Sequence, residues 1–368
     1  MNDIRLMKPY ITFEEIESEF RNVFESGIFT RGQHVEALRK QLADYTGAKH
    51  AFLMTSATTA LWTSLKLLGV SKGDEVIVSD FSFPASANVI EDLGATPVFA
   101  DVDLNTFNML PFELEKKITP KTKAVIFVDA LGNPSGITEI KTLCEKHQIP
   151  LIEDAACAIG SSENGRRCGS IADLTCFSFH PRKLISTGEG GAITVNRDDW
   201  AEWLEVKLFH GAKGLKGLVL DFVDFGYNFR LPELQAIMGC KQLAKIERIV
   251  DERNRIRADY IEQLKPLGFI PQHTGNNVRY NVQSLVFKVP QGCDRDSLIL
   301  GLRNVGVEST IGTYALSSGG YYIGKYADPQ KNAALLEKTT ITLPCFEGIA
   351  ISTVVGSIQA TMSGLRNA

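Results

Sequence analysis

Short apolar runs alternate with amphipathic segments through the first half of the chain. The runs are continuous rather than alternating, which is typical of strands buried on both faces of a mostly parallel sheet. The predicted strands are 50–55, 74–79, 97–100, 123–128, 150–153, 175–179 and 192–195. The predicted helices are 13–26, 35–45, 85–93, 112–118, 137–147 and 200–209, with another that ends at Leu68. This order predicts a doubly wound α/β domain, whose ligand binds at the carboxyl ends of the strands.

The second part of the chain follows a different pattern. Pro232 suits the first turn of a helix, and helical spacing continues from Glu233 to about Leu264. We interpret this long helix as the connector into a small α/β module. Its predicted strands are 284–289 and 340–343, and its predicted helices are 296–305 and 352–362. The prediction is therefore a large domain over 1–245, followed by the connecting helix and a small domain over 246–368.

Composition narrows the class of protein. The 368 residues are 44% hydrophobic and 22% charged, with a net charge of −4. Without a basic block, electrostatic capture of nucleic acid or of an anionic membrane is not expected. The N-terminal residues lack the apolar core of a signal peptide, and no apolar run is long enough to span a bilayer. We expect a soluble cytoplasmic protein.

The cysteines and histidines do not indicate a metal centre. The seven cysteines are scattered, form no C-x-x-C pair and mostly lie in apolar runs, so we interpret them as buried thiols. The six histidines are also dispersed, with none at H-x-x-x-H spacing. The sequence therefore predicts neither disulfides nor a metal site, although a site assembled in space stays open.

The stretch with the most chemical information is 175–195, TCFSFHPRKLISTGEGGAITV. It holds Lys183 between two predicted strands, followed by Gly188, Glu189, Gly190 and Gly191. One interpretation is a surface hairpin with an exposed lysine. The other is a lysine shielded from water. Since desolvation favours the neutral amine that attacks a carbonyl, such a lysine can form a Schiff base.

Three further features follow predicted strands. The segment 56–60, SATTA, begins a helix, so it is either a simple N-cap or an anion site at free backbone amides. Phe83, in the loop FSFPAS, either belongs to the core or stacks on a flat ligand. Asp154 ends a buried strand, where it is either a cap or a functional charge.

The ordered set of motifs carries a resemblance to a known family. The motifs are SATTAL, KGDEVIV, FSFPASAN, GATPVFADVD, IEDAA, GRRCGS, CFSFHPRK, TGEGG and GYNFRLPELQA. Together, over about residues 13–260, they resemble the DegT–DnrJ–StrS family of pyridoxal-phosphate (PLP) dependent sugar aminotransferases. The resemblance implies the aspartate-aminotransferase fold, PLP-dependent transferase fold type I. It also implies a homodimer whose active sites lie at the subunit interface.

The resemblance assigns roles to individual residues. Lys183 would form the Schiff base with PLP and then move the proton during transamination. Asp154 would pair with the pyridine nitrogen and keep the ring protonated as an electron sink. Phe83 would stack on the ring.

The phosphate of PLP would be held by a second group of residues. Ala57 and Thr58 would bind it through the helix start, with Ser178 adding its hydroxyl group. Asn228 would reach the phosphate of the partner subunit's cofactor. Arg230, in the same motif, is interpreted as structural rather than as a substrate clamp.

The sequence departs from the family pattern in three places. Ala57 stands where the family usually has glycine. Cys157 stands where it commonly has glutamine near the phenolic oxygen of the cofactor, so Cys157 is either a cofactor contact or a packed thiol. The usual substrate loop, with a histidine and prolines, is replaced by TIGTYALSSGGYY at 310–322.

The implied function is transfer of an amino group from L-glutamate to a keto-sugar. In this family the sugar is mostly nucleotide-linked and serves surface polysaccharide or lipopolysaccharide biosynthesis, or antibiotics. One alternative is the same chemistry on a free keto sugar acid of the 3-deoxy-octulosonate type. Another is a PLP-dependent sugar dehydratase, but those carry histidine in place of Lys183. A third is a non-catalytic regulatory homologue, which we expect to lose Lys183 or Asp154.

Overall fold

A seven-stranded sheet forms the centre of the larger part of the molecule, in a computed structural model that describes residues 3–326 and 329–366. Its strand order is β1-β10-β9-β6-β5-β2-β4. The strands are β1 (His50–Met54), β2 (Glu75–Ser79), β4 (Thr96–Ala100), β5 (Thr122–Val128), β6 (Leu151–Asp154), β9 (Leu174–Ser178) and β10 (Gly191–Val195). Strands β9, β6, β5, β2 and β4 run parallel, while β10 is antiparallel to both of its neighbours.

Helices connect and cover these strands. They are α1 (Glu17–Ser26), α2 (Gln33–Thr46), α3 (Ala57–Leu67), α4 (Ala85–Asp92), α5 (Pro111–Lys117), α6 (Ile137–Lys146), α7 (Asp198–Leu208), α8 (Glu233–Leu243), α9 (Ile246–Leu264), α10 (Arg295–Asn304), α11 (Lys331–Thr339) and α12 (Ile351–Arg366). None of them, over the residues described, is both long enough and apolar enough to cross a membrane.

The large sheet is buried on both faces. Val76, Val78 and Ile126 pack into one apolar cluster, whereas Ile77 and Phe127 pack into another. Successive residues of a strand point to opposite faces, so a strand covered by helices on both sides buries nearly every position and is apolar at most of them. The continuous apolar runs in the sequence reflect this arrangement, and the predicted doubly wound fold is confirmed.

A smaller sheet lies in the second part of the chain. Its order is β13-β15-β18-β16, and all of its pairings are antiparallel. These strands are β13 (Ile270–Pro271), β15 (Leu285–Lys288), β16 (Thr310–Ile311) and β18 (Thr340–Leu343). Apolar side chains of α9, α10 and α12, with Tyr260, Leu298 and Ile358 among them, pack with Phe287 of the sheet in one core.

Further short strands lie outside the two main sheets. They are β3 (Phe81–Ser82), β7 (Ser162–Glu163), β8 (Arg166–Arg167), β11 (Ala212–Lys216), β12 (Val219–Phe222), β14 (Val278–Arg279) and β17 (Tyr314–Ala315). Strand β14 pairs with β7, and β17 pairs with β3. Backbone hydrogen bonds therefore tie segments after residue 270 directly to the loops of the large sheet.

The single long helix predicted from Glu233 to Leu264 is wrong. Helix α8 ends before Ala244, and Lys245 has φ −115° and ψ 12°, outside the helical region. The break lets the two helices bury different faces, because Leu243 packs beneath the large sheet while Tyr260 packs in the core of the small one. Amphipathic spacing alone does not reveal such a change of direction.

Cys144, Cys157, Cys168, Cys176, Cys240 and Cys345 are free thiols. Cys144, Cys168, Cys176 and Cys345 are fully buried, in agreement with their apolar sequence surroundings, and Cys157, Cys240 and Cys293 are partly buried.

Asp80 connects the end of β2 to the 310–322 segment. Its carboxylate oxygens accept hydrogen bonds from the backbone N–H of Ser317 (2.7 Å) and from the hydroxyl of Ser317 (2.8 Å). Burial raises the pKa of Asp80 to about 7, although the two hydrogen bonds from Ser317 oppose the rise. In the unfolded chain this carboxyl group has an ordinary pKa near 3.8, so it loses its proton at a lower pH.

We expect Asp80 to make stability depend on pH. Between about pH 4 and pH 7 the folded chain keeps a proton that the unfolded chain has lost, so raising the pH destabilises the fold, by up to about 4 kcal/mol. Asp80→Asn stays neutral and can still bond Ser317. Its stability relative to the wild type should therefore rise as pH increases across this range, in thermal unfolding at about pH 5 and about pH 8. Parallel pH profiles for the two proteins would contradict the assignment.

Candidate active site

The lysine-bearing turn lies between β9 and β10, at the carboxyl end of β9. Lys183 is half-buried, and its Nζ donates a hydrogen bond to Sγ of Cys157 at 3.1 Å. Its backbone N–H donates to the carbonyl of His180 at 2.8 Å, which closes a tight turn. Lys183 therefore points across to the end of the neighbouring strand. A lysine of an exposed surface hairpin would point into solvent instead.

Asp154 is the last residue of β6, the strand beside β9. Its side chain is 6% exposed, and its Oδ2 accepts a hydrogen bond from Oγ of Ser86 at 2.6 Å. Its Oδ1 accepts from the backbone N–H of Ala156 at 3.2 Å. Burial raises the pKa of Asp154, while these two donors and the positive charge of Lys183 oppose the rise. A cationic partner would therefore stabilise its ionised form.

The hydroxyl groups beneath Asp154 were not identified from the sequence. Ser82 and Ser86 contact each other at 2.9 Å through their Oγ atoms, and both are buried. They lie in the FSFPAS loop four residues apart, with Ser82 at the end of β3 and Ser86 in the first turn of α4. That spacing was the available signal, but serine is common at helix starts for capping alone.

A second acidic group lies behind Asp154. Glu153 accepts hydrogen bonds from Oγ1 of Thr175 (2.7 Å) and the N–H of Gly169 (3.1 Å). Its remaining oxygen and both oxygens of Asp129 lack a hydrogen-bond partner among the described residues, and the thiol of Cys168 lies with them. Burial raises the pKa of both Asp129 and Glu153. A proton held by this pair would avoid two uncompensated buried charges.

The start of α3 faces the same strand ends. Ser56 caps the helix by accepting from the N–H of Thr59, so the simple N-cap interpretation holds for this residue. Within the described chain, no acceptor is bonded to the amides of Ala57 and Thr58. Gly191 packs directly against this turn, where an added Cβ would overlap the backbone of Ser56 and Ala57. Two free amides at a helix N-terminus favour an anion.

Ser178 lies at the same edge of the sheet. In the strand register, Gly191 lies between Ser178 of β9 and Met54 of β1, two residues before Ser56. The Ser178 side chain is mostly buried, and its Oγ accepts from the N–H of His180 at 3.4 Å. Its hydroxyl hydrogen can still be donated to a ligand beside the α3 start.

Phe83 is not a core residue. Its side chain is 65% exposed, and its ring meets that of Tyr314 edge-on, with 6.3 Å between centroids. Tyr314 belongs to the 310–322 segment, which pairs through β17 with β3 just before Phe83. The segment that departs from the family pattern therefore borders the Phe83 loop directly.

Asn228 stands apart from these residues. It is exposed, in the segment that follows the β11–β12 hairpin and precedes α8. Arg230, two residues on, is half-buried beside Phe52 and Leu231 at a small cavity. The structure of one chain thus brings Lys183, Asp154, Cys157, Ser178 and the α3 start to one edge, and leaves Asn228 on the surface.

The comparison with protein families agrees with this geometry. The model of the DegT/DnrJ/EryC1/StrS aminotransferase family matches residues 11–359. The chain belongs to this family. It is a PLP-dependent sugar aminotransferase with the type I fold, and the resemblance seen in the sequence is confirmed.

Individual relatives of this aminotransferase give the same answer. The chain is 33% identical to the spore coat polysaccharide biosynthesis protein SpsC of Bacillus subtilis, covering 98% of this chain and 96% of the relative. It is 36% identical to GDP-perosamine synthase of Caulobacter vibrioides, over 76% of each chain. Helicobacter pylori PseC, an aminotransferase of pseudoaminic acid biosynthesis, superposes with a TM-score of 0.93 and 26% identity, over 99% of this chain and 100% of that one.

The residues of this aminotransferase fit PLP. Asp154 is a buried carboxyl group whose ionised form a cation would stabilise, which suits a protonated ring nitrogen, and the positive charge of Lys183 already favours that form. Unbonded amides at the start of α3 suit a phosphate. These are the chemical groups that PLP requires, and they lie together at one edge of the large sheet.

Proposed function

We propose that this enzyme transfers the amino group of L-glutamate to a nucleotide-linked keto-sugar in surface polysaccharide biosynthesis. The observation that carries the proposal is the convergence of Lys183 and Asp154 on adjacent strand ends, beside the free amides of α3. Two relatives support the proposed substrate class, because one is a GDP-perosamine synthase and the other a spore coat polysaccharide biosynthesis protein.

Different residues would bind different parts of the cofactor. Asp154 would hold the ring nitrogen, Phe83 would cover one face of the ring, and Ala57, Thr58 and Ser178 would bind the phosphate. When bound, PLP supplies a covalent attachment point for the amino group and an electron sink. Asp154 supports that property by keeping a negative charge beside the ring nitrogen, while Ser86 keeps the carboxylate oriented through the 2.6 Å hydrogen bond.

Lys183 would carry the proton. The positive charge of its Nζ favours the ionised form of Asp154. The turn that carries Lys183 is held by the hydrogen bond from its backbone N–H to the carbonyl of His180. The neutral amine would take the proton from the carbon that bears the amino group of the donor. The ammonium group so formed would release a proton to the carbon of the keto-sugar that receives the amino group. Cys157 accepts a hydrogen bond from the same Nζ and would thereby limit its side-chain freedom.

A cavity beyond Phe83 offers room for the sugar substrate. Its volume is 570 Å³, and its lining includes Pro84, Tyr314 and Tyr322. Carboxylates of Glu91 and Asp92 also line it. Tyrosine rings and carboxylates suit a hydroxyl-rich ligand, since they supply flat apolar surface together with hydrogen-bond acceptors.

A substrate panel tests the proposal. The purified enzyme would be incubated with L-glutamate and, separately, with GDP-, UDP- and dTDP-linked 4-keto and 3-keto sugars and an oxidised 3-deoxy-octulosonate. Mass spectrometry would report amination. Amination of a nucleotide-linked sugar would support the proposal. Amination of the free sugar acid alone would contradict it and would make a keto sugar acid the substrate.

We further propose that the enzyme is a homodimer in which Asn228 of one chain completes the phosphate site of the other. Apolar side chains around the β11–β12 hairpin are exposed in the single chain, and Leu218 is fully exposed. The others are Leu215, Val219, Leu220, Phe222, Val223 and Phe225. A patch of this kind is typical of a protein–protein interface. Asn228, which follows it, would then lie next to the partner.

Mixing two inactive variants tests this assembly. Lys183→Ala removes the amine, and Asn228→Asp replaces a donor to the phosphate by a repelling charge. In a mixed dimer one site would carry both lesions and the other neither, so up to about half of the mixed dimers' sites should regain activity. Recovery would be measured after subunit exchange that differently tagged chains demonstrate. Exchange without recovery would place both residues in a site made by one chain.

A further inference from the structure

The segment 281–283, Asn-Val-Gln, runs beneath the turns that carry Lys183 and Cys157. It lies between β14 and β15, and we call it the 281–283 strap. All three side chains are buried, with exposed fractions of 0% for Asn281 and Val282 and 3% for Gln283. Two buried amide side chains so close in sequence require specific hydrogen-bond partners.

Gln283 bonds the lysine turn. Its Nε2 donates to the backbone carbonyl of Arg182 at 2.6 Å, and Arg182 directly precedes Lys183. The backbone N–H of Gln283 donates to Oδ1 of Asn281 at 2.8 Å. The side chain of Asn281 is therefore bonded to the backbone of Gln283, whose own side chain is bonded to the lysine turn.

Asn281 bonds the turn that follows Asp154. Its Nδ2 donates to the carbonyl of Cys157 at 2.7 Å and to the carbonyl of Ile159 at 2.9 Å. Gly132 packs against the same place, where a Cβ would overlap Oδ1 of Asn281 and the carbonyl of Cys157. The Cys157 turn thus has little room to shift away from the strap.

The strap itself is held from the other side. Arg253, 1% exposed, donates from Nε to the carbonyl of Val282 (2.7 Å) and from Nη2 to the carbonyl of Gln283 (2.9 Å). Its Nη1 donates to the carbonyl of Cys345 (2.5 Å). Val282 has φ +54°, a conformation that β-branched residues rarely adopt, so these contacts hold the strap in one unusual shape.

We infer that Gln283 and Asn281 are positioning residues, which set the lysine turn against the Cys157 turn from one rigid segment. The inference rests on the proposed role of Lys183. The carbonyls of Arg182 and Cys157 flank the 3.1 Å contact between Lys183 and Cys157, and both are bonded to the strap. The spacing of the two strap amides therefore governs where Nζ of Lys183 lies. Neither amide group needs to touch substrate or cofactor for this effect.

The test compares Gln283→Leu with a matched control, Gln272→Leu. Gln272 is also buried, at 2% exposed, and its Nε2 donates to two carbonyls, those of Thr106 (2.7 Å) and Ala130 (3.0 Å). Its Oε1 also accepts from the hydroxyl of Tyr280 (3.2 Å), so the control loses more bonds to oxygen than Gln283→Leu, but only Gln283→Leu releases the lysine turn. In hydrogen exchange by mass spectrometry on the cofactor-free proteins, we expect peptides over 180–187 to exchange about tenfold faster in Gln283→Leu alone.

With cofactor bound, Gln283→Leu should lower kcat about 10- to 100-fold, as expected for a displaced catalytic group. KM for the amino donor should change little, and the visible circular dichroism of the bound cofactor should change. Gln272→Leu should keep all three properties. Unchanged exchange over 180–187, or an equal loss of kcat in the control, would overturn the inference.

A second variant covers the case in which Gln283→Leu does not fold. Gln283→Glu has the same shape, but its carboxylate cannot donate to the Arg182 carbonyl unless it is protonated. Its kcat relative to the wild type should therefore recover as pH is lowered. A flat ratio would contradict the inference. Faster exchange over 180–187 in an enzyme that aminates none of the tested sugars would retain the strap inference and reject the proposed substrate.

Discussion

Lys183→Ala is expected to abolish transamination while the protein stays folded. The variant loses both the amine that attaches the cofactor and the group that moves the proton. Proton transfer by a positioned side chain alone contributes about 10²- to 10⁴-fold, so turnover should fall by at least about 10³-fold. The measurement is amino transfer from glutamate to the keto-sugar, with circular dichroism to verify the fold.

The matched control for this variant is a lysine outside the site. Lys49 is exposed and pairs with Asp198 on the surface, so Lys49→Ala should retain wild-type turnover. Lys183→Arg should be as inactive as Lys183→Ala, because guanidinium stays protonated and cannot attack a carbonyl. Borohydride reduction should fix the cofactor to the wild type and not to either Lys183 variant. Normal turnover in Lys183→Ala would show that the assignment is wrong.

The second large effect is expected for Asp154→Asn. The amide keeps the size of the carboxylate and can still accept the hydrogen bond from Ser86, so cofactor binding should change only moderately. It cannot supply the negative charge that keeps the ring nitrogen protonated. Removing a preorganised electrostatic group costs about 3 kcal/mol of barrier, so single-turnover rates should fall on the order of 100-fold.

Two measurements separate the roles of Asp154. Cofactor retention after dialysis reports binding, and single-turnover kinetics with glutamate report chemistry. Ser86→Ala is the matched partner, because it removes a donor to Asp154 while leaving its charge. We expect a smaller rate loss in Ser86→Ala than in Asp154→Asn. Near-normal rates in Asp154→Asn would instead place Asp154 in a structural role.

The large sheet could be predicted because each of its strands contains a short continuous apolar run. The hairpin of β11 and β12 could not, since residues of AKGLK and VLDF are mostly exposed and show no burial pattern. Helix α11 was also missed, because within the described chain it buries only a narrow face, with Ala333 and Leu336 fully buried. The division into domains over 1–245 and 246–368 stays a prediction.

The central residues of the candidate site followed from one rule, that ligands bind at the carboxyl ends of parallel strands. Asp154 ends β6 and Lys183 follows β9, so adjacency in the sheet brings them together. Ser86, Asn281 and Gln283 escaped this rule. They act through hydrogen bonds to the backbone or to another side chain, and a single buried serine, asparagine or glutamine leaves no periodic signal in the sequence.

Because the strap lies far behind the lysine turn in the sequence, it is synthesised well after that turn. The ribosome completes the lysine turn and both of its strands by Val195, long before Asn281 and Gln283 exist. At about 5–20 residues per second, the turn waits several seconds for the segment that holds its backbone. The carbonyls of Arg182 and Cys157 lack their strap donors in that interval. On our inference, the lysine turn therefore reaches its final position only after the last third of the polypeptide has been synthesised.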